Sequence, residues 1–423
     1  KAIRRQRQMC IRDSIFAMGL GLLPPWEVKS VSFEDAADGK ELHIHIDFNR
    51  GSRFLNDKGE QVSAYDTEEK EWRHLNFFEH KCYLHCRVPR IPMSDGKVRM
   101  VEVPWSRPGS GFTLLFEAYA MKLIESEMPV SSVAKHTRVT APRIWRVFHH
   151  WVSKARENID LSRVRRIGID ETSSRKGHNY ITNFVDLDTR QLVFCIAGKG
   201  EATIEKFVEE LEKRGGDRKN IEVVSMDMSP SFISGYFEYF NHADLVFDKF
   251  HIIKMLNEAL DNTRKAEQAE KKLLKGHRFT LLHKKSNLSD KKQMELETLL
   301  LTYPTLGEAY KYKEGFFDAF SFEKSDDAIE YLEKWCEAVK QTKLTHMKKF
   351  VNTIKAHWSG IITNFTCPGV NNGILEGINQ KIQLAKRRAR GFNIISNFID
   401  MAYFVSGKLQ FDYPYNSLQS QSF

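Results

Sequence analysis

The feature that most constrains this chain is a short apolar segment that leads into two adjacent carboxylates, Asp170 and Glu171. Its β-branched residues are typical of a buried strand: Val164, Ile167 and Ile169. Gly168 allows another element to approach closely, and polar residues interrupt the apolar pattern from Ser173 onward. The segment therefore predicts a buried strand that ends by presenting a pair of carboxylates.

A second apolar segment, residues 221–226, leads in the same way to Asp227, and Ser229 and Pro230 then favour the start of a helix. In an open sheet, side chains at the carboxyl ends of neighbouring strands converge on one crevice. Two carboxylates in one crevice repel each other unless a divalent cation lies between them. Asp170 and Asp227 are therefore predicted to share a metal site.

The third acid is Glu376, in a segment that is predicted to be helical from residue 371 to residue 392. One face has apolar residues at three–four spacing and is expected to pack inward: Leu375, Ile378, Ile382, Ala385 and Ala389. Another face carries the carboxylate first and polar or basic side chains after it: Glu376, Asn379, Gln383, Lys386 and Arg387. This order suits a site that holds metal beside a phosphate backbone. The alternative is a surface carboxylate that pairs with Lys381 or Gln380.

In these three acids and in two further blocks, the chain resembles bacterial insertion-sequence transposases of the ISL-three family. The blocks are Phe-Asp-Lys-Phe-His at residues 247–251 and Lys-Arg-Arg-Ala-Arg-Gly-Phe at residues 386–392. The resemblance implies a DDE enzyme with an RNase H-like core, in which Asp170, Asp227 and Glu376 are catalytic and bind metal. It also implies recognition of terminal inverted repeats, DNA strand cleavage and strand transfer to target DNA by a homodimer or larger assembly.

The chemistry expected at these acids is phosphoryl transfer with two Mg²⁺ (or Mn²⁺) ions, which oxygen ligands suit. Basic residues after Glu376 are expected to neutralise the DNA backbone: Lys381, Lys386, Arg387, Arg388 and Arg390. Asp248, His251 and Lys254 are expected to act outside the metal triad, by orienting the site or by contacting the scissile phosphate or the flanking strand. For Asp248, a hydrogen bond to a helix N-terminus is an equally good interpretation.

Residues 113–155 are predicted to form a helix-turn-helix, with Pro129 in the first turn of its second helix. In such units the last helix enters the major groove of DNA. The candidate DNA contacts are therefore the basic residues at its start and along it: Arg138, Arg143, Arg146 and His149. The alternative is a plain three-helix connector. In either case the aromatic residues of the last helix are expected to be core: Trp145, Phe148 and Trp151.

Strand-like alternation dominates the region before this unit, as in residues 42–48. In the ISL-three family this region usually carries two cysteine pairs that hold zinc, but the matching turns at residues 54–59 and 91–96 contain no cysteine. Because tetrahedral zinc needs four ligands, usually in paired short turns, Cys82 and Cys86 are interpreted as buried cysteines rather than as zinc ligands. We therefore expect no zinc.

The predicted fold class is α/β, within a multi-domain α+β chain. An RNase H-like mixed sheet with an all-α insertion is preceded by the helix-turn-helix and a small β-rich module. The predicted parts, in chain order, are a poorly structured basic leader (1–27), the β-rich module (28–108), the helix-turn-helix (109–160), the first part of the catalytic core (161–256), the all-α insertion (257–349), the last part of the core (350–410) and a tail (411–423).

Composition agrees with a protein that binds a polyanion. The formal net charge is +9, which favours a polyanionic partner, and the resemblance to the ISL-three family implies that this partner is double-stranded DNA. The six cysteines are scattered without a disulfide framework, as expected in a reducing cytosol. No apolar run is long enough to span a membrane. We therefore expect a cytoplasmic protein that associates with the nucleoid when it is bound to DNA.

Three other functions compete with that of a transposase. An RNase H-like nuclease or resolvase would cut DNA without joining it; the helix-turn-helix and the long insertion argue against a minimal nuclease. A catalytically idle DNA-binding regulator, derived from a transposase, is disfavoured because all three acids are present. A zinc-ribbon adaptor is disfavoured by the missing cysteines.

Overall fold

The computed structural model describes residues 15–37, 39–175, 177, 179–270, 276–367, 370 and 373–413. The chain divides into two compact units. The first contains residues 1–151 and 410–423, and the second contains residues 152–409. Among the residues described, no helix combines the length and the apolar character that crossing a membrane would require.

The N-terminal unit is built on a β-sheet, and its strands are β1 (Trp26–Ala36), β2 (Gly39–Phe48), β3 (Arg53–Leu55), β4 (Gln61–Ser63), β5 (Asp66–Phe77), β6 (His80–Pro92) and β7 (Val98–Met100). The sheet order is β1-β2-β6-β5 with β7 beside β6, and β3 pairs with β4 separately. β2 and β6 pair in parallel, whereas the neighbouring pairs are antiparallel.

Alternation along β2 and β6 gives this sheet one buried face and one polar face. Ile44, Leu84 and Cys86 lie on the buried face. Burial raises the pKa of the Cys86 thiol to about 12, and that of Cys82 to about 12 as well. His85 lies in the same strand but stacks on His43 across the opposite face. The two thiols are therefore packed in a core, as inferred from the sequence, and the expectation that the module needs no zinc stays a prediction.

The prediction of a poorly structured leader over residues 1–27 is wrong for the part that the structure describes. Residues 15–19 are helical (α1), and Phe16 and Leu20 pack against the core of the N-terminal sheet. β1 already begins at Trp26, whose ring lies 5.1 Å from that of Trp105 in an edge-on contact. A prediction based on the basic charge of the segment does not account for the packing of these apolar side chains. Residues 1–14 lie outside the described part of the chain.

The helix-turn-helix segment consists of α2 (Leu114–Glu125), α3 (Val130–Thr137) and α4 (Ala141–Glu157). Thr113 caps α2, because its hydroxyl accepts a hydrogen bond from the Phe116 backbone N–H. α3 ends at Arg138, which adopts a left-handed conformation. Phe148 and Trp151 are buried, as expected, whereas Trp145 is only half-buried. Of the predicted tail, Tyr413 packs on Trp151 and donates to Glu125; residues 414–423 are outside the described part.

The second unit contains a mixed sheet with strands β8 (Arg166–Arg175), β9 (Asn179–Asp186), β10 (Gln191–Ala197), β11 (Val223–Met226) and β12 (Asp244–Phe247). The order is β10-β9-β8-β11-β12. β8, β9 and β10 are antiparallel neighbours, and β11 is parallel to both β8 and β12. α5 (Glu201–Lys213) and α6 (Pro230–Tyr239) lie in the connections that lead to β11 and β12. The α/β class and the RNase H-like mixed sheet are thus confirmed.

From β12 to the end of the unit, the described residues contain helical elements and no strand. The α-helices are α7 (Lys249–Glu270), α8 (Arg278–Leu282), α9 (Asp290–Thr302), α10 (Pro304–Asp318), α11 (Ser325–Gln341), α12 (Thr345–Ala356), α13 (Trp358–Thr366), α14 (Gly373–Arg388) and α15 (Ile395–Ser406). α13 packs on β12, α14 on β8 and α15 on β10, so the last helices return to the sheet.

Candidate active site

Asp170 does not end its strand, contrary to the prediction from the sequence. β8 continues to Arg175 because the antiparallel partner β9 pairs with it along that length. The parallel pairing of β8 with β11 stops earlier, at Gly168. Asp170 therefore lies just beyond the point where β11 ends. Asp227 and Asp248 are the first residues after β11 and β12, so three carboxylates lie at one edge of the sheet.

The Asp170 carboxylate is held on both oxygens. Its Oδ1 accepts from the Glu171 backbone N–H at 2.7 Å, and its Oδ2 accepts from Asn379 Nδ2 at 2.6 Å. Burial raises the pKa of Asp170 to about 6, and the negative charges of Asp248 and Asp227 act in the same direction. A carboxylate with a raised pKa beside two others is the arrangement that a divalent cation relieves.

Asp227 and Asp248 are each held by the start of a helix. Asp227 Oδ1 accepts from the Ser229 backbone N–H at 2.9 Å, just before α6. Asp248 Oδ1 accepts from the Phe250 backbone N–H at 2.8 Å in α7, and its Oδ2 lies 2.8 Å from His251 Nδ1. Asp248 therefore accepts a hydrogen bond at a helix N-terminus and also contacts His251, while its role in orienting the active site stays a prediction. The hydrogen bond to Asp248 raises the pKa of His251.

Glu376 and Asp170 line the same cleft, which has a volume of about 1030 Å³. The polar side chains that line the cleft with it are Asp170, Asp248, Lys249, His251, Asn364, Asn379, Gln380, Gln383 and Arg387. Glu376 is exposed, and its Oε1 accepts from Gln380 Nε2 at 3.0 Å, which is one of the pairings weighed as the alternative. Asp227 is not among the lining residues, although its charge raises the pKa of Asp170. In the described part of the chain, no three Asp, Glu, His or Cys side chains gather closely enough to hold one metal ion.

α14 is held along β8 by several side-chain contacts and hydrogen bonds. A Cβ built on Gly168 would lie 2.7 Å from Leu375 Cδ2, so the glycine permits the close approach inferred from the sequence. One turn beyond Glu376, Asn379 bonds Asp170; farther along, Gln383 Nε2 and Lys386 Nζ donate to the Ser173 carbonyl oxygen at 3.0 and 2.7 Å. Leu375, Ile378 and Ile382 are buried, as the spacing predicted, but Ala385 is only half-buried and the helix ends at Arg388, before the predicted Ala389 and well short of residue 392.

The predicted DNA-backbone contacts on α14 and just after it do not share one environment. Arg387 lines the cleft, and Lys381, Arg388 and Arg390 are exposed. Lys386 is half-buried, and its ammonium bonds Ser173 rather than facing solvent freely. Lys254, on α7, is exposed.

The predicted DNA contacts of the helix-turn-helix also differ from one another. Arg146 is exposed on α4. The Arg143 guanidinium lies 4.4 Å above the centre of the Phe112 ring, so it packs within the unit. Arg138 donates to the Glu79 carbonyl oxygen at 3.0 Å, and the half-buried His149 ring lies 5.6 Å from that of Trp145. Arg146 is thus the most available of these cations.

Sequence reasoning missed the role of Asn379 and of two residues that bond it, Thr172 and Asn183. The Asn379 side chain was on the predicted polar face of α14, which was the available signal. Thr172 and Asn183 gave none, because both lie inside the sheet and are 3% and 1% exposed. They become recognisable only when β8, β9 and α14 are assembled.

Comparisons with known proteins agree with this architecture. A family model described as a transposase matches residues 167–402, and the model for the helix-turn-helix domain of transposase family ISL3 matches residues 101–152. The transposase for insertion sequence element IS1557 of Mycobacterium tuberculosis is 26% identical over 92% of this chain and 94% of its own length. The transposase for insertion sequence element IS1001 of Bordetella parapertussis is 24% identical over 84% of this chain and 87% of its own length.

The two family matches identify a chain with this mixed sheet and helix-turn-helix as a transposase, an enzyme that cuts and transfers DNA. The family model covers more than half of the chain. The chain therefore belongs to transposase family ISL3.

Proposed function

We propose that this transposase binds the terminal inverted repeats of a bacterial insertion sequence, cuts the DNA strands there and joins them to target DNA. Asp170, Asp227 and Glu376 are the proposed catalytic residues. The observation that carries the proposal is the position of Asp170: its pKa is raised to about 6 by burial, it lies beside Asp227, and it faces Glu376 across a cleft. Such a shift in a cleft is characteristic of functional carboxylates.

By ligand type the three carboxylates suit Mg²⁺ or Mn²⁺, because these ions prefer oxygen ligands and retain water that a phosphate can replace. Asp170, Asp227 and Glu376 would hold the ions. A bound pair would activate the attacking water or 3′-hydroxyl and stabilise the leaving oxygen. The negative charges of Asp170, Asp227 and Asp248 repel one another, and a bound cation would relieve this repulsion. Glu376, which is exposed on α14, would be the third metal ligand.

His251 is proposed to contact the scissile phosphate. Asp248 engages its Nδ1 at 2.8 Å and raises its pKa, which leaves Nε2 as the ring nitrogen for a second donor contact. His251 and Arg387 both line the cleft. Cationic donors at fixed positions bind phosphate oxygens and fix the register of the DNA. The DNA backbone farther from the cut would be neutralised by Lys254, Lys381, Arg388 and Arg390. Lys386 would also neutralise the backbone, from its position beside the Ser173 carbonyl oxygen.

The helix-turn-helix is proposed to recognise the inverted repeats through Arg138, Arg143, Arg146 and His149. Arg146 is the strongest candidate because it is exposed on α4, the helix that such units place in the major groove. The second DNA partner is the target duplex. Joining two element ends to one target requires that both ends be held together, which supports a homodimer or larger assembly on DNA.

The experiment is a strand-transfer assay with the full chain, Mg²⁺ and duplexes that carry the element's own inverted repeats. Asp170→Ala, Asp227→Ala and Glu376→Ala should each abolish joining while DNA binding persists. The matched control is Glu205→Ala, which removes an exposed acid from α5. Unchanged joining by Asp227→Ala would refute the proposal. Cleavage without joining by the wild-type protein would instead favour the nuclease or resolvase.

A further inference from the structure

We infer that Asn379 is a positioning residue of the active site: it orients the Asp170 carboxylate and ties it to α14, the helix that carries Glu376. The inference rests on the proposed function. Asn379 Nδ2 donates to Asp170 Oδ2 at 2.6 Å, and Asn379 follows Glu376 by three residues, so both side chains face the cleft. One side chain therefore joins the strand and the helix that supply two of the proposed metal ligands.

The orientation of the Asn379 amide is determined by its own partners. Its Oδ1 accepts from Thr172 Oγ1 at 2.6 Å and from Asn183 Nδ2 at 2.9 Å. With two donors at the oxygen, the Nδ2 group must be the one that faces Asp170. Thr172 and Asn183 are 3% and 1% exposed, so water does not compete for these bonds.

Asp170 is thereby held between backbone and helix. Glu171 N–H occupies one carboxylate oxygen and Asn379 occupies the other, at 2.7 and 2.6 Å. Each oxygen can accept further contacts, and its remaining acceptor positions are those available to a cation. A donor fixed before the metal arrives reduces the cost of ordering the ligand. α14 does not need this bond in order to dock, because the side chains of Leu375, Ile378 and Ile382 are buried.

The test measures Mn²⁺ affinity of the full chain by electron paramagnetic resonance, together with single-turnover cleavage of inverted-repeat duplexes. Asn379→Ala should weaken Mn²⁺ binding and slow cleavage by about 10- to 100-fold, the usual effect of losing a partner of a metal ligand. Asn379→Asp keeps the shape but replaces the donor with a second carboxylate, and it should slow cleavage at least as much. Thr172→Val removes one of the two donors that fix the amide and should produce a smaller loss.

Leu384→Ala is the matched control, because Leu384 is exposed on α14. It should leave both readouts unchanged. In an Asp170→Ala background, adding Asn379→Ala should not weaken Mn²⁺ binding further, since its effect acts through Asp170. A merely structural role would give additive losses instead.

Wild-type Mn²⁺ affinity and cleavage in Asn379→Asp and Thr172→Val would overturn the inference, even if Asn379→Ala failed to fold. Failure of the proposed function is a different result: Asp170→Ala itself would then leave cleavage intact. Loss of cleavage in Asp170→Ala with none in the Asn379 and Thr172 variants would reject only the positioning role.

Discussion

His251 Nδ1 lies 2.8 Å from Asp248 Oδ2 at the first turn of α7, and both residues line the cleft that contains Asp170. The pair fixes which ring nitrogen of His251 is engaged, and it raises the pKa of the imidazole. At a given pH near neutrality, the protonated fraction of His251 is therefore larger than that of an isolated histidine. Asp248 thus holds the imidazolium of His251 at a defined position in the cleft.

We predict that His251→Gln slows single-turnover cleavage by about 100-fold, the order expected when one positioned donor to a reacting oxygen is lost. DNA affinity should stay within a factor of about two, since many cations share the backbone contacts. Asp248→Asn should slow cleavage most at high pH and less at low pH. The reason is that losing the carboxylate lowers the pKa of His251, and acid restores the imidazolium. A pH-independent defect in Asp248→Asn would contradict this role.

The raised pKa of Asp170 predicts that metal binding depends on pH. The carboxyl group of the metal-free protein is neutral below its pKa of about 6 and ionised above it. Protons therefore compete with Mn²⁺ below that value, and apparent affinity should fall by about tenfold per pH unit there and level off above pH 7. Titration of the full chain with Mn²⁺ at several pH values checks this. Asp170→Asn should lack the dependence; an affinity that is constant across the range would count against Asp170 as a ligand.

Two arginines in the helix-turn-helix should respond differently to alanine. Arg146 is exposed, whereas Arg143 stacks 4.4 Å above Phe112. Arg146→Ala should weaken binding to inverted-repeat DNA and leave Tm unchanged. The slope of log affinity against log salt concentration should fall by the amount expected for about one phosphate contact. Arg143→Ala should lower Tm, with a stability loss of about 1 kcal/mol from the stacked cation. Binding isotherms at several salt concentrations and thermal melts separate the two effects, and equal behaviour of the variants would show that the stacking is unimportant.

Gly168 and Gly377 form a matched pair for testing how α14 docks on β8. A Cβ at Gly168 would lie 2.7 Å from Leu375 Cδ2 and 2.9 Å from Leu187 Cδ2, inside a buried contact. Gly168→Ala should destabilise the protein by about 1–3 kcal/mol and abolish cleavage, because α14 must move and it carries Glu376. Gly377, in the same helix, has no atom within 4 Å of an added Cβ.

Gly377→Ala should therefore raise Tm, since alanine favours a helix by up to about 1 kcal/mol over glycine. Thermal melts and cleavage rates of the two variants are the measurement. If Gly168→Ala were as active as the wild-type protein, the spacing of β8 and α14 would not limit the site.

His74 should make stability depend on pH. Burial lowers its pKa to about 4, and its Nδ1 lies 2.8 Å from Thr113 Oγ1, the hydroxyl that caps α2. In the unfolded chain a histidine titrates near 6.5, so the unfolded state binds more protons between pH 6.5 and pH 4. The free energy of unfolding should then fall by roughly 2–3 kcal/mol as the pH drops through that range. Denaturant melts at several pH values test this, and His74→Gln should lose that share of the dependence.

Much of the architecture was readable from local pattern. A continuous apolar run predicted the strand before Asp227, and three–four spacing predicted the buried residues of α14. The predicted mixed sheet has the expected physical basis, because β9 and β10 form an antiparallel hairpin and strands linked by helices are commonly parallel. These features depend on neighbours within a few residues, which is why a single sequence contains them.

The misjudged features depend on packing and pairing partners that a local sequence pattern does not identify. β8 continues past Asp170 because β9 pairs with it, and Phe16 and Leu20 are ordered by packing against the N-terminal sheet. Lys386 bonds Ser173 across 213 residues of sequence. A local pattern states that a side chain is polar, but it does not say which polar group it will meet.

The sequence by itself determined that three acids follow predicted strands or begin a helix, and that basic residues come after the last acid. Only the tertiary structure showed which side chain holds Asp170. Asn379 reaches Asp170 across 209 positions and Asn183 across 196, through bonds of 2.6 and 2.9 Å. The reason is physical: hydrogen bonds form over about 3 Å, so strand register and helix docking must be fixed before such a partner exists.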